Sequence, residues 1–294
     1  PWRLALLINE KGNAKTCLAN ALIAFRGHPE WVGRLQFDTF HQRTILTGKL
    51  PWSDLHEDRA WLPNDDGLAA DWLQHEGIML ASKAVSEAIE IVARDRPFHP
   101  VLAQLARLRW DGEARLDEWA IKYLGVEDTP FARAVSSRWM ISAIARVMQP
   151  GCKADCALIL EGRQGLGKSQ ALAILFSPWF TDELAELGSK DAAIQLAGVW
   201  CVELAELVGM RRGDLDRTKA FMSRTYDRFR PVWGMRTIDQ ARQCVFAGTV
   251  NDSQYLRDET GGRRWWPLLC RAIDLDGLRE ARDQLLAEAR DRYE

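Results

Sequence analysis

Apolar positions along the chain change rhythm part-way, and the change separates two regions. In the first region Leu4–Ile8 is an apolar run that predicts a strand over residues 4–10, followed by a turn at Asn13–Lys15. Leu18, Leu22 and Phe25 then fall at helical spacing, predicting a helix over 16–25. Residues 35–46 mix β-branched and aromatic side chains, the signature of one or two strands. Loops are expected at 51–52 and 63–67, which hold Pro, Asn, Asp and Gly. From Leu68 the period becomes helical, with candidates at 68–74, 82–94, from His99-Pro100 to before Trp110, and 116–124.

The clearest break is Gly125 to Pro130, where Thr129 can cap a helix and Pro130 suits its first position. We therefore expect a small, mainly helical α+β domain over 1–125 and a second domain over 126–294. After the helix to Met148, apolar strands at 156–161, 199–203 and 244–250 alternate with helical stretches. That alternation predicts an α/β domain, a parallel sheet with helices on both faces, and the chain closes on an amphipathic helix over 275–293.

The first predicted strand of that sheet runs into Gly162-Arg163-Gln164-Gly165-Leu166-Gly167-Lys168-Ser169, with Gln170 opening the next helix. Glycines permit positive φ, so that backbone N–H groups can close around phosphate oxygens. A helix start presents its positive dipole end to the anion. In such a loop Lys168 reaches the outer phosphates and Ser169 places its hydroxyl on Mg²⁺. The strand–loop–helix context makes this a P-loop nucleoside triphosphatase pattern, with ATP and Mg²⁺ as the expected ligands.

Such a site needs an acid on a neighbouring strand. Residues 198–206 lead three apolar strand residues into Glu203 and Glu206. One is expected in the metal shell; Glu206 is the first choice for activating water, and the order of the two stays open. Residues 244–251 form an apolar strand tipped by Thr249 and Asn251, and Asn251 is the expected γ-phosphate or water sensor. A glycine loop then presents Arg263 and Arg264 before Trp265-Trp266-Pro267, a fit arrangement for an arginine finger, Arg264 ahead of Arg263.

Composition limits the partners. Apolar residues are 47%, charged residues 27%, and the net charge is −2, so any nucleic-acid contact must be a local patch. One exists: residues 211–242 carry nine basic and four acidic residues, a local net of +5, with Phe221, Tyr226, Phe229 and Trp233 interleaved. A hairpin turning at Gly234 is expected there. Arg236 is the pore candidate, and Lys219, Arg224, Arg228 and Arg230 line the approach. Six scattered cysteines without a Cys-x-x-Cys pair suggest reduced thiols in a cytoplasmic protein rather than a zinc site. No apolar run is long enough for a membrane span. The start at Pro1, without Met or a leader pattern, suggests a fragment of something longer.

In order, Trp110-Asp111-Gly112, residues 150–153, the glycine loop, Lys190-Asp191, residues 203–206, Lys219 with Asp227 and Arg230, residues 248–251 and residues 258–267 resemble the virulence-associated protein E family of phage and genomic-island ATPases. The resemblance is good over about 98–294 and loose before. It implies an AAA+-related, superfamily 3 helicase-like fold. It further implies a ring, most often a hexamer, that drives along single-stranded or forked DNA in the replication of a mobile element, often beside a primase or initiation protein. No primase active site is visible in the chain. Competing expectations are a DNA loader or remodeller that does not unwind, a nucleotide-binding assembly module without turnover, and a small-molecule kinase, the last disfavoured by the arginine-aromatic stretch.

Overall fold

The structure, a computed structural model, describes residues 1–204, 212–230, 236–251 and 262–294, apart from the side chains at 212, 214, 215 and 262. Its contacts divide into two compact units, Pro1–Pro100 and Val101–Glu294, each with its own buried apolar cluster.

The first unit holds α1 (Leu18–Gly27), β1 (Leu35–Asp38), β2 (Arg43–Leu46), β3 (Lys49–Leu50), β4 (Ser53–His56), β5 (Arg59–Ala60), α2 (Pro63–His75), α3 (Ser82–Arg94) and β6 (Pro97–Phe98). The four-stranded sheet runs β5-β2-β1-β6. Phe25, Trp31, Leu35, Phe37, Leu46, Leu73 and Ile89 make its core. Two expectations fail here. Residues 4–10 form no strand: Trp2–Ala5 is a 3-10 turn, and the one bridge pairs Ile8 with Ala14. The Asn20 side chain takes both the N–H and the C=O of Leu7, and Leu4, Leu7 and Ile8 stay exposed, so no sheet rewards an extended run. Residues 63–67 are the first turn of α2 rather than a loop. Pro63 sits where no N–H is needed, and the Asp65 carboxylate accepts the Leu62 N–H at 2.8 Å.

The second unit begins earlier than the break at Gly125 suggests. Residues 101–125 carry α4 (Pro100–Arg107) and α5 (Trp119–Leu124), and both are tied to later elements of this unit. Trp119 Nε1 donates to the Ser136 carbonyl at 3.1 Å, and Arg290 donates to the Leu105 carbonyl at 2.5 Å. Then follow α6 (Pro130–Met148), β7 (Ala157–Glu161), α7 (Lys168–Phe176), β8 (Phe180–Thr181), α8 (Lys190–Gln195), β9 (Cys201–Leu204), α9 (Arg212–Met222), β10 (Tyr226–Phe229), β11 (Ile238–Ala241), β12 (Val245–Val250), β13 (Trp265–Leu269) and α10 (Leu275–Tyr293).

Five strands form one wholly parallel sheet in the order β13-β7-β12-β9-β8. Strand side chains alternate between faces. Ala157, Ile159, Val202 and Phe246 meet Ala192 and Leu196 around α8 and Phe221 and Met222 of α9. Helices α6 and α7 pack on the sheet as well, and α10 packs on both of them. Buried indoles pin this layer: Trp139 Nε1 donates to the Phe246 carbonyl at 3.0 Å and Trp200 Nε1 to the Ala143 carbonyl at 2.8 Å. Strand β13 was not anticipated. It is the edge strand beside β7, where Pro267, which lacks a ladder donor, is tolerated.

Candidate functional site

In a parallel sheet the carboxyl ends of all strands lie along one edge, where open α/β sheets bind ligands. Along that edge Glu161 of β7 pairs with Val250 of β12, and Gly248 of β12 pairs with Leu204 of β9. The residues just beyond or just inside those ends are therefore gathered: the 162–169 loop, Glu203, Thr249 and Asn251.

The loop turns sharply from β7 into α7 because its glycines adopt φ of 141° (Gly162), 81° (Gly165) and 90° (Gly167). At Gly162 there is also no room for a side chain, since a Cβ would sit 2.6 Å from the Cys270 carbonyl oxygen. Arg163, Gln164 and Gly165 are exposed at the tip, and Leu166 is half-buried. Lys168 begins α7 and is buried. Its Nζ donates to the Gly162 carbonyl at 2.7 Å, the Arg163 carbonyl at 2.9 Å and Asn251 Oδ1 at 3.1 Å. Burial lowers the Lys168 pKa from its ordinary value, a shift that Cys270 and Glu203 partly oppose. Burial also holds the neighbouring Cys270 thiol at about 12.

Glu203 is buried on β9. One carboxylate oxygen, Oε1, accepts from Ser169 Oγ at 2.9 Å and from Thr249 Oγ1 at 2.5 Å. The other, Oε2, is buried without a hydrogen-bond partner among the described residues. The ends of β9 and β12 and the start of α7 thus converge on one carboxylate. Sequence reasoning named Thr249 at the strand tip but gave the site role to Asn251 alone. The signal for Thr249 was a hydroxyl interrupting an apolar strand one turn of the pleat before Asn251. Glu206 lies outside the described residues. A cleft of about 470 Å³ opens beside the loop, bordered by Arg163, Asn251, Cys270 and Arg271.

Arg263 and Arg264 stand just before β13, whose first residue pairs with Ala157 at the start of β7. They therefore sit at the amino edge of the sheet, the opposite edge from the glycine loop. Arg263 is exposed, and Arg264 lies 3.4 Å from Asp155. The residues 258–261 of the preceding glycine loop lie outside the described set.

The basic stretch splits into a core and a surface. β10 and β11 pair antiparallel; the expected turn at Gly234, and Trp233, lie outside the described residues. Burial alternates along β10, so Asp227 and Phe229 point inward and Tyr226 and Arg228 outward. Phe221 and Phe229 are buried, which corrects their reading as base-stacking rings; Tyr226 is the described aromatic that remains exposed. Arg242 is buried in a bidentate pair with Asp227 (2.8 and 2.6 Å), donates to the Phe221 carbonyl and lies over the Phe221 ring. Lys219 is buried and 3.4 Å from Asp216. Arg224, Arg228, Arg230 and Arg236 are exposed, with Arg228 3.0 Å from Asp239.

Residues 105–294 match the virulence-associated protein E-like domain. The chain belongs to that family. The apo structure of the NrS-1 C-terminal region, residues 305–718, has a similar fold, with a TM-score of 0.50 and 13% identity over 88% of this chain and 70% of that one. A second form of the same region gives 0.49 and 13% over 87% of this chain and 65% of that one, so the chain spans just under two thirds of its length. At such identity the likeness concerns the mixed α/β fold alone. No curated protein matches. Among the described residues, no helix is long and apolar enough to cross a membrane.

Proposed function

We propose that this virulence-associated protein E-like chain is a P-loop ATPase whose hydrolysis drives movement along DNA during replication of a phage or other mobile element. The observation that carries the reading is the meeting of Ser169, Thr249 and Glu203 at the carboxyl edge of the sheet, beside Lys168 and Asn251.

The donor set fits Mg²⁺. A hard cation that keeps several waters needs only one or two protein oxygens plus phosphate. The Ser169 hydroxyl and the unpartnered Glu203 Oε2 supply them without a cluster of three acids, and none is found among the described residues. Mg²⁺ would neutralise charge on the outer phosphates. The remaining work belongs to the chain. Loop N–H groups bind phosphate oxygens, and the Lys168 ammonium exchanges neutral carbonyl acceptors for charged ones, which are stronger partners. Asn251, bonded to Lys168, orients the outer phosphate or the attacking water. Glu203 in the metal shell leaves Glu206 as the proposed acceptor of the water proton. Arg264, at the far edge from its own loop, would serve a neighbouring subunit of a ring. Arg224, Arg228, Arg230 and Arg236 form the proposed DNA surface, with Tyr226 available for stacking.

Titration calorimetry with Mg²⁺ and a non-hydrolysable ATP analogue tests the loop assignment. Wild type should bind one nucleotide per chain, and Lys168→Ala should bind at least about tenfold more weakly. Equal affinity would remove the loop from the site.

A further inference from the structure

We propose that the groove between α7 and α10 holds the nucleoside half of the nucleotide, with a purine ring resting on Ile174 and Leu275 and stacked under the Arg279 guanidinium. This rests on the 162–169 loop binding the phosphates.

The direction of the phosphate chain follows from Lys168. Its ammonium lies against Gly162, Arg163 and Asn251, so that end takes the outer phosphates. The inner phosphate then falls at the first-turn amides of α7, around Ser169 and Gln170. Beyond it the next surface is the face of α7 carrying Gln170, Ala173 and Ile174, which share one side at spacings of three and four. A groove of about 660 Å³ runs along that face, and Leu275 and Arg279 of α10 form its other wall, four residues apart. This volume is in the range of small-molecule sites.

Leu275 belongs to both loop and groove. A Cβ on Gly167 would lie 3.3 Å from its Cδ1, so the last glycine of the loop touches the first wall of the groove. The two arginines differ in availability. Arg282 is committed to structure, donating to the Leu175 carbonyl at 3.1 Å and the Ser177 carbonyl at 2.7 Å, and it closes the far end. Arg279 is 61% exposed and paired with Asp276, itself 90% exposed, a type of pair worth little in water. Its planar cation can turn onto a flat ring, and Ile174 and Leu275 supply the apolar floor. A purine suits these walls better than a pyrimidine because it presents more stacking area.

The test compares Mg-ATP with Mg-tripolyphosphate, which has the phosphates and no nucleoside, by titration calorimetry on the full chain. Wild type should bind ATP about tenfold or more tighter than tripolyphosphate, the scale of one stacked base. Ile174→Trp fills the groove and should bring ATP down to the tripolyphosphate level while leaving tripolyphosphate unchanged. Arg279→Lys keeps the charge, loses the planar face, and should weaken ATP by about threefold or more without touching tripolyphosphate. If Ile174→Trp lowers both ligands, the exposed Arg279 substitution decides. Equal wild-type affinity for the two ligands, or unchanged ATP affinity in both variants, overturns the groove while leaving the phosphate loop standing. Binding of neither ligand by wild type overturns the loop reading and the groove with it.

Discussion

Replacing Glu203 by Gln should make the free protein more stable and at the same time remove its response to Mg-ATP. Glu203 is 6% exposed, and its Oε2 has no hydrogen-bond partner among the described residues. An unsatisfied buried acceptor costs about 1–3 kcal/mol, more when charged. Glutamine keeps an oxygen at Oε1 for Ser169 and Thr249, which donate at 2.9 and 2.5 Å, and exchanges an orphaned charge for a neutral amide. A gain of about 1–2 kcal/mol is expected. For a unit the size of Val101–Glu294, each kcal/mol moves Tm by about 2–4 °C, so the rise should be about 2–8 °C. Wild type should gain a further ~2.7 kcal/mol with Mg-ATP at a hundred times its Kd, and the variant much less. Thermal unfolding monitored by circular dichroism, with and without Mg-ATP, reads both effects. A destabilised Glu203→Gln protein that still responds fully to Mg-ATP would refute the role of this carboxylate as a strained metal ligand.

Mg-ATP affinity should fall on the alkaline side, beginning below the pH of ~10.4 at which an ordinary lysine titrates, because burial lowers the Lys168 pKa and binding needs the ammonium. The same shift has the opposite sign for the free fold, which gains stability as pH rises through the depressed value. Calorimetric titrations from pH 7 to 10 that show flat affinity would exclude Lys168 as the charge involved. Asp227→Ala strands the buried Arg242 guanidinium and should cost about 3–5 kcal/mol, read as a fall of about 6–20 °C in Tm; a change under 2 °C would mean that the pair is dispensable. Arg264→Ala should bind ATP normally and fail to hydrolyse it, yet recover activity when mixed with Lys168→Ala protein, since an intact loop on one subunit then meets an intact arginine on the next. Confirmed mixed assemblies that stay silent would leave Arg264 as a structural partner of Asp155.

Much of the second unit was legible because its strands are short apolar runs closed by chemically distinct tips. The residue types at 162–169, 203 and 249–251 point to one edge of a parallel sheet, and that is where they meet. Other features were hidden for physical reasons. β13 contains Pro267, which argues against a strand unless the strand is at an edge, and edge position is a tertiary fact. The arginines of 211–242 look alike in sequence, but only the pairing with Asp227 separates the buried Arg242 from Arg224, Arg228, Arg230 and Arg236, which are exposed. Residues 4–10 have strand composition, but among the described residues they find only the single Ile8–Ala14 bridge. The groove beside α7 depends on where α10 returns, which no local pattern encodes.

ATP turnover stimulated by DNA is the activity proposed for this site. The most direct measurement is phosphate release from ATP by the full chain, with and without single-stranded DNA, beside Lys168→Ala under identical conditions. Wild type should hydrolyse ATP and accelerate with DNA in a salt-sensitive manner, as counterion release demands, while Lys168→Ala stays at background. Release that is absent from wild type under all these conditions, or undiminished in Lys168→Ala, would contradict it.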